Sequence, residues 1–285
     1  MQLSILLALA RYRYLTCSQV VLMELGSLSA VRRAMRVLSA IRFPSPILLR
    51  RTFPPSARLG RIEHMYSLSA YGIIFLTEQL PGYATSRSLA PTWEVFKLDY
   101  EHRKLTVTSR ILLEKALRGQ DEYDLLTWAN YFEKSDEVYG EPVQPRRKAA
   151  TEVTLASGKR CIPDGVFELS DPQQRGLYVV EVELSRKSSR VLSKVHQHQQ
   201  ALADGTFSRV FGLDEDYHAV FLLQHQTTLK RLLERLEKSS SFTPFRQHML
   251  FTTLAALEIR PLTCWLRVGS SEPVHLVTGK TVSDR

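Results

Sequence analysis

Two runs decide how this chain reads: Ile162-Pro163-Asp164-Gly165-Val166-Phe167-Glu168-Leu169 and Leu177-Tyr178-Val179-Val180-Glu181-Val182-Glu183-Leu184. Both are rich in β-branched and aromatic residues. Between them lies Asp171-Pro172-Gln173-Gln174-Arg175-Gly176, whose Asp-Pro and Gly mark a turn. The pattern predicts an antiparallel pair of strands over 162–169 and 177–184. Strand residues two apart share a face, so Glu181 and Glu183 project together while Val180, Val182 and Leu184 pack behind them. The paired strand carries Asp164 alongside. Three carboxylates converging from neighbouring strands repel one another unless a cation neutralises them. Oxygen donors of this kind suit a hard ion, Mg²⁺ or Mn²⁺. The same pattern would also serve as a solvated acidic face of a sheet.

After the second run the chain turns basic, Ser185-Arg186-Lys187-Ser188-Ser189-Arg190, and then reads as a helix to about Asp204. Val191, Val195 and Leu202 define its buried stripe, with His198 in line. Lys187, Arg190 and Lys194 fall on a neighbouring face. A lysine at 194 could reach back over the carboxylates and steady a pentacovalent phosphate. Further on, Tyr217 to Leu223 reads as a strand and Thr228 to Lys238 as a helix with i,i+4 pairs Lys230–Glu234 and Glu234–Lys238. Met249 to Leu254 reads as another strand. Before the two runs, Glu94 to Leu117 reads as a long helix closed by Gly119. Asp124 to Phe132 reads as a strand carrying Trp128, and residues 140–149 as a basic surface loop.

The first ninety residues differ in kind. They hold 11 arginines and no lysine against three acids, Glu24, Glu63 and Glu78, a net of +8. The other 195 residues hold 27 bases against 26 acids, so nearly all of the chain's +9 sits in its first third. Guanidinium groups grip phosphate with two parallel hydrogen bonds and stack on bases, so a segment basic through arginine alone favours nucleic acid. Leu3, Leu6, Leu7 and Ala10 give a helix over 2–11. Thr16 or Ser18 caps a short helix through Leu25 that Gly26 ends, and Ser29 opens a third, Ala30 to Ile41, with Val31, Ala34, Leu38 and Ile41 inward. Extended runs Ile47–Phe53 and Ile62–Leu68 flank a turn-rich link, and a helix Ala70 to Gln79 follows. This order predicts a winged helix-turn-helix. Arg32, Arg33 and Arg36 then face the major groove, and the hairpin offers Arg50, Arg51, Arg58 and Arg61 to the backbone or minor groove. A linker over 81–91 separates domains at 1–90 and 91–285.

The bulk composition, 44% hydrophobic and 24% charged with 13 Gly and 13 Pro, excludes disordered, collagenous and coiled-coil chains. Cys17, Cys161 and Cys264 are widely spaced and odd in number. They form neither a disulfide framework nor a CxxC zinc pattern, which fits a reducing cytoplasm. The apolar opening, residues 1–10, has no basic flank before it and no small-residue cleavage site after it. It reads as a helix rather than a leader. No apolar run approaches the ~20 residues of a membrane span. His196-Gln197-His198 has the look of a paired-histidine metal motif, but on a helix residues two apart diverge by ~200°.

Pro163-Asp164, sixteen intervening residues, Glu181-Val182-Glu183 and a basic helix resemble the PD-(D/E)xK nuclease core, with Glu183 standing where that family most often has lysine. Lys194 takes the place of a displaced lysine. The wider layout resembles the replication-relaxation proteins, which include mobilisation relaxases of the MobC type. The likeness runs through Tyr66-Ser67-Leu68-Ser69-Ala70-Tyr71-Gly72, Leu98-Asp99-Tyr100-Glu101-His102, 163–169, 181–183, Lys194-Val195-His196-Gln197-His198 and the strand and helix near 217–238. That resemblance implies an α/β fold: a winged helix-turn-helix, then a restriction-endonuclease-like core with a central mixed sheet flanked by helices. It implies a metal-dependent endonuclease that nicks one strand of double-stranded DNA at a plasmid or mobile-element transfer origin. Asp164, Glu181 and Glu183 would hold Mg²⁺ (or Mn²⁺) and Lys194 would face the phosphate. Accessory mobilisation proteins and a coupling protein would be partners, without membrane insertion. The other reading is a non-catalytic DNA-binding or replication-control protein with a degenerate nuclease fold.

Overall fold

The computed structural model describes residues 1–42, 44–55, 60, 62–79, 99–139, 146–170, 175–213 and 215–278, with backbone alone at 136–139, 146 and 147. The described chain is mixed α/β and divides into two compact units, Met1–Ile111 and Leu112–Arg285. The expected linker over 81–91 lies outside the described residues.

In the first unit, α1 (Gln2–Tyr12) buries Ile5, Leu6, Leu9 and Tyr12. Leu15 then exchanges two backbone hydrogen bonds with Tyr66, at 3.0 and 2.8 Å. Thr16, not Ser18, caps α2 (Cys17–Leu22). Its hydroxyl accepts from the Gln19 N–H, and the Gln19 side chain accepts from the Thr16 N–H. This helix stops three residues short of Leu25, because Glu24 (φ 62°) and Gly26 (φ 147°) turn the chain out of the helical region. Ser27 rather than Ser29 caps α3 (Leu28–Ala40). Val31, Ala34, Met35 and Leu38 face inward, while Ile41, expected inward, lies past the helix and is 37% exposed. Antiparallel strands β1 (Leu48–Arg51) and β2 (Met65–Leu68) pair Leu48 with Leu68 and Arg51 with Met65. Next comes α4 (Ala70–Gln79), whose Gly72 lies against Ile47: a Cβ there would stand 2.2 Å from the Ile47 carbonyl oxygen. Only glycine fits that approach.

The helix expected over 94–117 begins, among the described residues, as α5 (Tyr100–Leu117). Its first turns pack in the first unit. Gln19 Nε2 donates to the Lys104 carbonyl (2.8 Å) and to Thr108 Oγ1 (3.1 Å). Arg103 and Arg110 each lie 5.0 Å from the ring centroids of Tyr14 and Tyr12, respectively. The division between units therefore falls inside α5, at Ile111/Leu112, and not after residue 90.

In the second unit the strands are β3 (Asp124–Asn130), β4 (Lys134–Tyr139), β5 (Arg146–Ala149), β6 (Val153–Thr154), β7 (Arg160–Cys161), β8 (Gly165–Ser170), β9 (Arg175–Glu183), β10 (His218–Leu223) and β11 (Met249–Thr253). The helices are α6 (Ser188–Ala203), α7 (Thr206–Phe211), α8 (Gln226–Glu237) and α9 (Leu254–Ile259), with a 3-10 stretch at Ser240–His248. Five strands make one mixed sheet, ordered β11-β10-β9-β8-β3. Strands β9, β10 and β11 run parallel, joined through α6–α7 and through α8, while β8 and β3 are antiparallel neighbours. Parallel strands are covered on both faces, which explains the unbroken apolar run Ala219-Val220-Phe221-Leu222-Leu223.

Val179, Phe221 and Phe251 belong to a core with Val191 and Val195 of α6 and Leu229, Leu232 and Leu236 of α8. Across β3, β8, β9 and β10, Trp128, Phe167, Tyr178 and His218 stack in sequence, with centroids 4.5, 4.9 and 5.4 Å apart. The segment 140–149 is not wholly a loop. Residues 146–149 are β5, paired antiparallel with β4, a strand whose sequence Lys-Ser-Asp-Glu-Val-Tyr has no apolar alternation to reveal it.

Candidate functional site

Strand β9 is the central strand of the sheet, and its residues 177–183 are all buried. Antiparallel pairing sets Gly165 opposite Val180, so Asp164, at the mouth of β8, stands beside Glu181. Two backbone contacts hold it. The Asp164 N–H donates to the Val180 carbonyl (2.9 Å), and the Val182 N–H donates to Asp164 Oδ2 (2.7 Å). Thr151 Oγ1 donates to the Pro163 carbonyl (2.7 Å) and anchors the approach from the other side.

Helix α6 closes over this strand pair. Lys194, which the helical spacing aimed at the acids, reaches both: its Nζ lies 2.5 Å from Glu181 Oε2 and 3.4 Å from Asp164 Oδ2. Asp164 is 5% exposed and Glu181 2%, so this is a charge cluster taken almost wholly out of water. Burial works to depress the Lys194 pKa, but Glu181 and then Asp164 outweigh it and hold the ammonium above the ordinary lysine range. One turn further along α6, His198 is fully buried. Its Nε2 lies 3.0 Å from Glu181 Oε1 and its Nδ1 2.9 Å from the Tyr217 hydroxyl. Glu181 is thus gripped at both oxygens.

The third predicted acid behaves differently. Glu183 shares the face of Glu181, as strand alternation requires, but its Oε1 accepts from the Ser185 N–H (2.8 Å). Its Oε2 is buried, accepts no hydrogen bond, and has the Arg190 guanidinium 3.5 Å away. Asp164, Glu181 and Lys194 come together around one ammonium; Glu183 sits beside that group with its own cation. Of the histidine pair, His198 faces in and His196 faces solvent, bonded to Gln199 Oε1 at 2.7 Å.

No protein-family model, curated protein or solved structure matches this chain.

Two site residues escaped the sequence reading. Cys161, on β7, is 2% exposed, and burial followed by the nearby Glu181 pushes its thiol pKa up to about 12. Tyr217, fully buried just before β10, holds His198. Among the described residues, one ligand atom each from Cys161, Glu181 and His198 lie within 4.8 Å of one another. A sulfur three residues before Asp164 was the available signal for Cys161. Tyr217 left none, because its contact spans nineteen residues.

In the first unit, Arg32, Arg33 and Arg36 are exposed on α3, as their spacing around the buried Val31, Ala34 and Met35 requires. On β1, Arg50 is exposed and Arg51 half-buried; Arg58 and Arg61 lie outside the described residues. Arg32, Arg36, Arg42 and Arg50 line one cavity of about 1110 Å³ between α3 and the strand pair. Glu63 also lines it, but its carboxylate is engaged by the Ser18 N–H (3.1 Å), the Ser18 hydroxyl (2.6 Å) and Lys104 (3.3 Å). Burial would raise the Glu63 pKa, yet those Ser18 and Lys104 contacts bring it below the usual range. The acid is already satisfied, so the arginines present their charge outward. Among the described residues no helix is long and apolar enough to cross a membrane.

Proposed function

We propose that the chain is a metal-dependent DNA endonuclease that nicks one strand of a duplex, with DNA recognition in its first unit and cleavage in its second. The observation that carries this reading is the meeting of Asp164, Glu181 and Lys194. Two acids from neighbouring strands and a lysine from the next helix share one buried point. This is the arrangement expected of a PD-(D/E)xK-like core whose lysine has moved to the helix. The donor chemistry suits a hard ion: the groups are carboxylates, and Glu183 adds a buried oxygen that accepts no hydrogen bond. Asp164 and Glu181 would hold Mg²⁺ or Mn²⁺, which supplies polarisation of the scissile phosphate and charge neutralisation at the leaving oxygen.

The chain's own groups do the rest. Lys194, whose ammonium lies against both acids, would face the phosphate. His198 fixes the orientation of Glu181 through Oε1. Glu183 Oε2, which accepts no hydrogen bond and has Arg190 3.5 Å away, would orient the attacking water. In the first unit, three helices, the Leu15–Tyr66 bridge, the strand pair and α4 fit a winged helix-turn-helix. In that fold α3 carries Arg32, Arg33 and Arg36 into the major groove and the strand pair brings Arg50 and Arg51 to the backbone. With the resemblance to the replication-relaxation proteins, the preferred substrate is a transfer origin of a plasmid or mobile element.

The second reading, a DNA-binding protein without catalysis, draws on one observation. The Lys194 ammonium already satisfies both acids without any ion. Supercoiled plasmid carrying the native locus, incubated with the protein and Mg²⁺, separates the two. The nuclease reading expects open circles with wild type and none with Asp164→Ala or Glu181→Ala. Circles formed equally by those variants, or absent with wild type, overturn it. Protein attached to the nicked 5′ end would mark covalent transfer; a free end marks hydrolysis.

A further inference from the structure

We propose that Cys161, Glu181 and His198 form a second, interior metal site that takes a borderline-soft divalent ion such as Zn²⁺ or Co²⁺. The three donors come from β7, β9 and α6, and all are at most 2% exposed. Their ligand atoms lie within 4.8 Å of one another, and His198 Nε2 and Glu181 Oε1 are already 3.0 Å apart. Tetrahedral zinc, with bonds of about 2.0–2.3 Å, needs donors roughly 3.5 Å from each other, so a small closing movement brings these three donors onto the ion, with the fourth position left for a water or other small ligand. Sulfur and imidazole nitrogen select zinc-like ions over Mg²⁺, which demands oxygen.

Hydrogen bonding around His198 supports the same conclusion. The Tyr217 hydroxyl has one proton and lies 3.2 Å from the His198 carbonyl and 2.9 Å from Nδ1. Given to the carbonyl, it leaves the hydroxyl to accept from Nδ1–H and aims the Nε2 lone pair at Glu181 Oε1; given to Nδ1, it leaves Nε2–H to donate to that oxygen. In the first tautomer two acceptors face each other 3.0 Å apart, and a metal ion bonded to both takes the place that the Nε2 proton holds in the second. Tyr217 then acts as the outer partner that orients a metal-bound imidazole. Charge closes as well. Asp164, Glu181 and Lys194 leave the cluster at −1 with Cys161 as a thiol; a divalent ion and the Cys161 thiolate bring it to zero. On binding, the thiol proton passes to solvent and the sulfur–metal bond takes its place. The ion ties β7, β9 and α6 together and clamps Glu181 at Oε1, leaving Oε2 toward Lys194.

This site does not depend on the nuclease reading. The experiment is a Co²⁺ titration of the full chain, read by the thiolate-to-cobalt charge-transfer absorption and the tetrahedral visible bands. One equivalent should bind, Zn²⁺ should displace it, and excess Mg²⁺ should not. Cys161→Ser should abolish the charge-transfer absorption, whereas Cys17→Ser and Cys264→Ser should keep it. Tyr217→Phe should weaken binding about 10–100-fold, the cost typical of losing an outer partner. If Cys161→Ser fails to fold by circular dichroism, the wild-type titration together with Tyr217→Phe and His198→Gln, both expected to weaken binding, decides. No charge-transfer absorption, its survival in Cys161→Ser, or its loss in a Cys17 or Cys264 variant overturns the proposal. Cobalt binding without nicking in Mg²⁺ would sink only the nuclease reading; nicking without cobalt binding would sink only this site.

Discussion

Lys194→Met deletes one ammonium and keeps the length and apolar stem of the side chain. In the wild type that ammonium lies 2.5 Å from Glu181 Oε2 and 3.4 Å from Asp164 Oδ2, and the acids are 2% and 5% exposed. Removing one partner of a buried ion pair costs about 3–5 kcal/mol, because the charge left behind stays desolvated. In a unit of this size each kcal/mol shifts Tm by about 2–4 °C, so a fall of about 6–20 °C is expected. The Lys194 pKa is raised on folding. Its contribution is therefore fully present below the unfolded lysine value, about 10.4, and is lost only as pH rises through the folded one. Neutral pH is the right condition. Urea unfolding followed through Trp128 and Trp265, both in the second unit, reads the change. Millimolar Mg²⁺ should restore part of the loss, since the acids then regain a cation. Glu181→Gln combined with Lys194→Met should cost clearly less than the sum of the single changes. A single variant within about 0.5 kcal/mol of wild type, or strict additivity in the double, would refute the ion-pair reasoning.

Three further outcomes are expected. Arg32→Ala with Arg36→Ala should weaken duplex DNA binding and lower the slope of log affinity against log salt by about two, one per phosphate contact; an unchanged slope removes α3 from the interface. Gly72→Ala should destabilise the first unit by about 1–3 kcal/mol in thermal denaturation, because its Cβ would meet the Ile47 carbonyl oxygen at 2.2 Å, and a neutral result would contradict that packing. His218 is depressed to about 4 by burial first, then by His248 and Arg267. Its neutral form is required by the fold, so stability should be intact above about pH 6.5 and fall toward pH 4 by about 1.4 kcal/mol per unit at most, a fall that His218→Gln should flatten.

Asp164, Glu181 and Lys194 were legible in the sequence because each rests on a short-range period. Alternation along a strand set Glu181 and Glu183 on one face, the expectation of an antiparallel pair placed Asp164 beside them, as the Gly165–Val180 pairing does, and helical spacing aimed Lys194 back at the strand. The division of labour between Glu181 and Glu183 was not legible. It depends on the Ser185 N–H and Arg190, which lie at Oε1 and Oε2 of Glu183 at the strand's end. Cys161 and Tyr217 stayed hidden for a related reason. Their roles arise where β7 and the start of β10 meet α6, and no local pattern encodes that meeting. The strand at 146–149 left no signal because its partner opens Lys-Ser-Asp-Glu and has no apolar alternation. The placement of α5 was missed because Gln19, Tyr12 and Tyr14 hold it from about ninety residues away.

The central claim is that Asp164 and Glu181 cut DNA. Side-by-side incubation of wild type and Asp164→Asn with supercoiled plasmid carrying the native locus, with and without Mg²⁺, tests it most directly. Open circles should form only with wild type and only with the ion. Equal nicking by Asp164→Asn, or none by wild type in Mg²⁺, would contradict it.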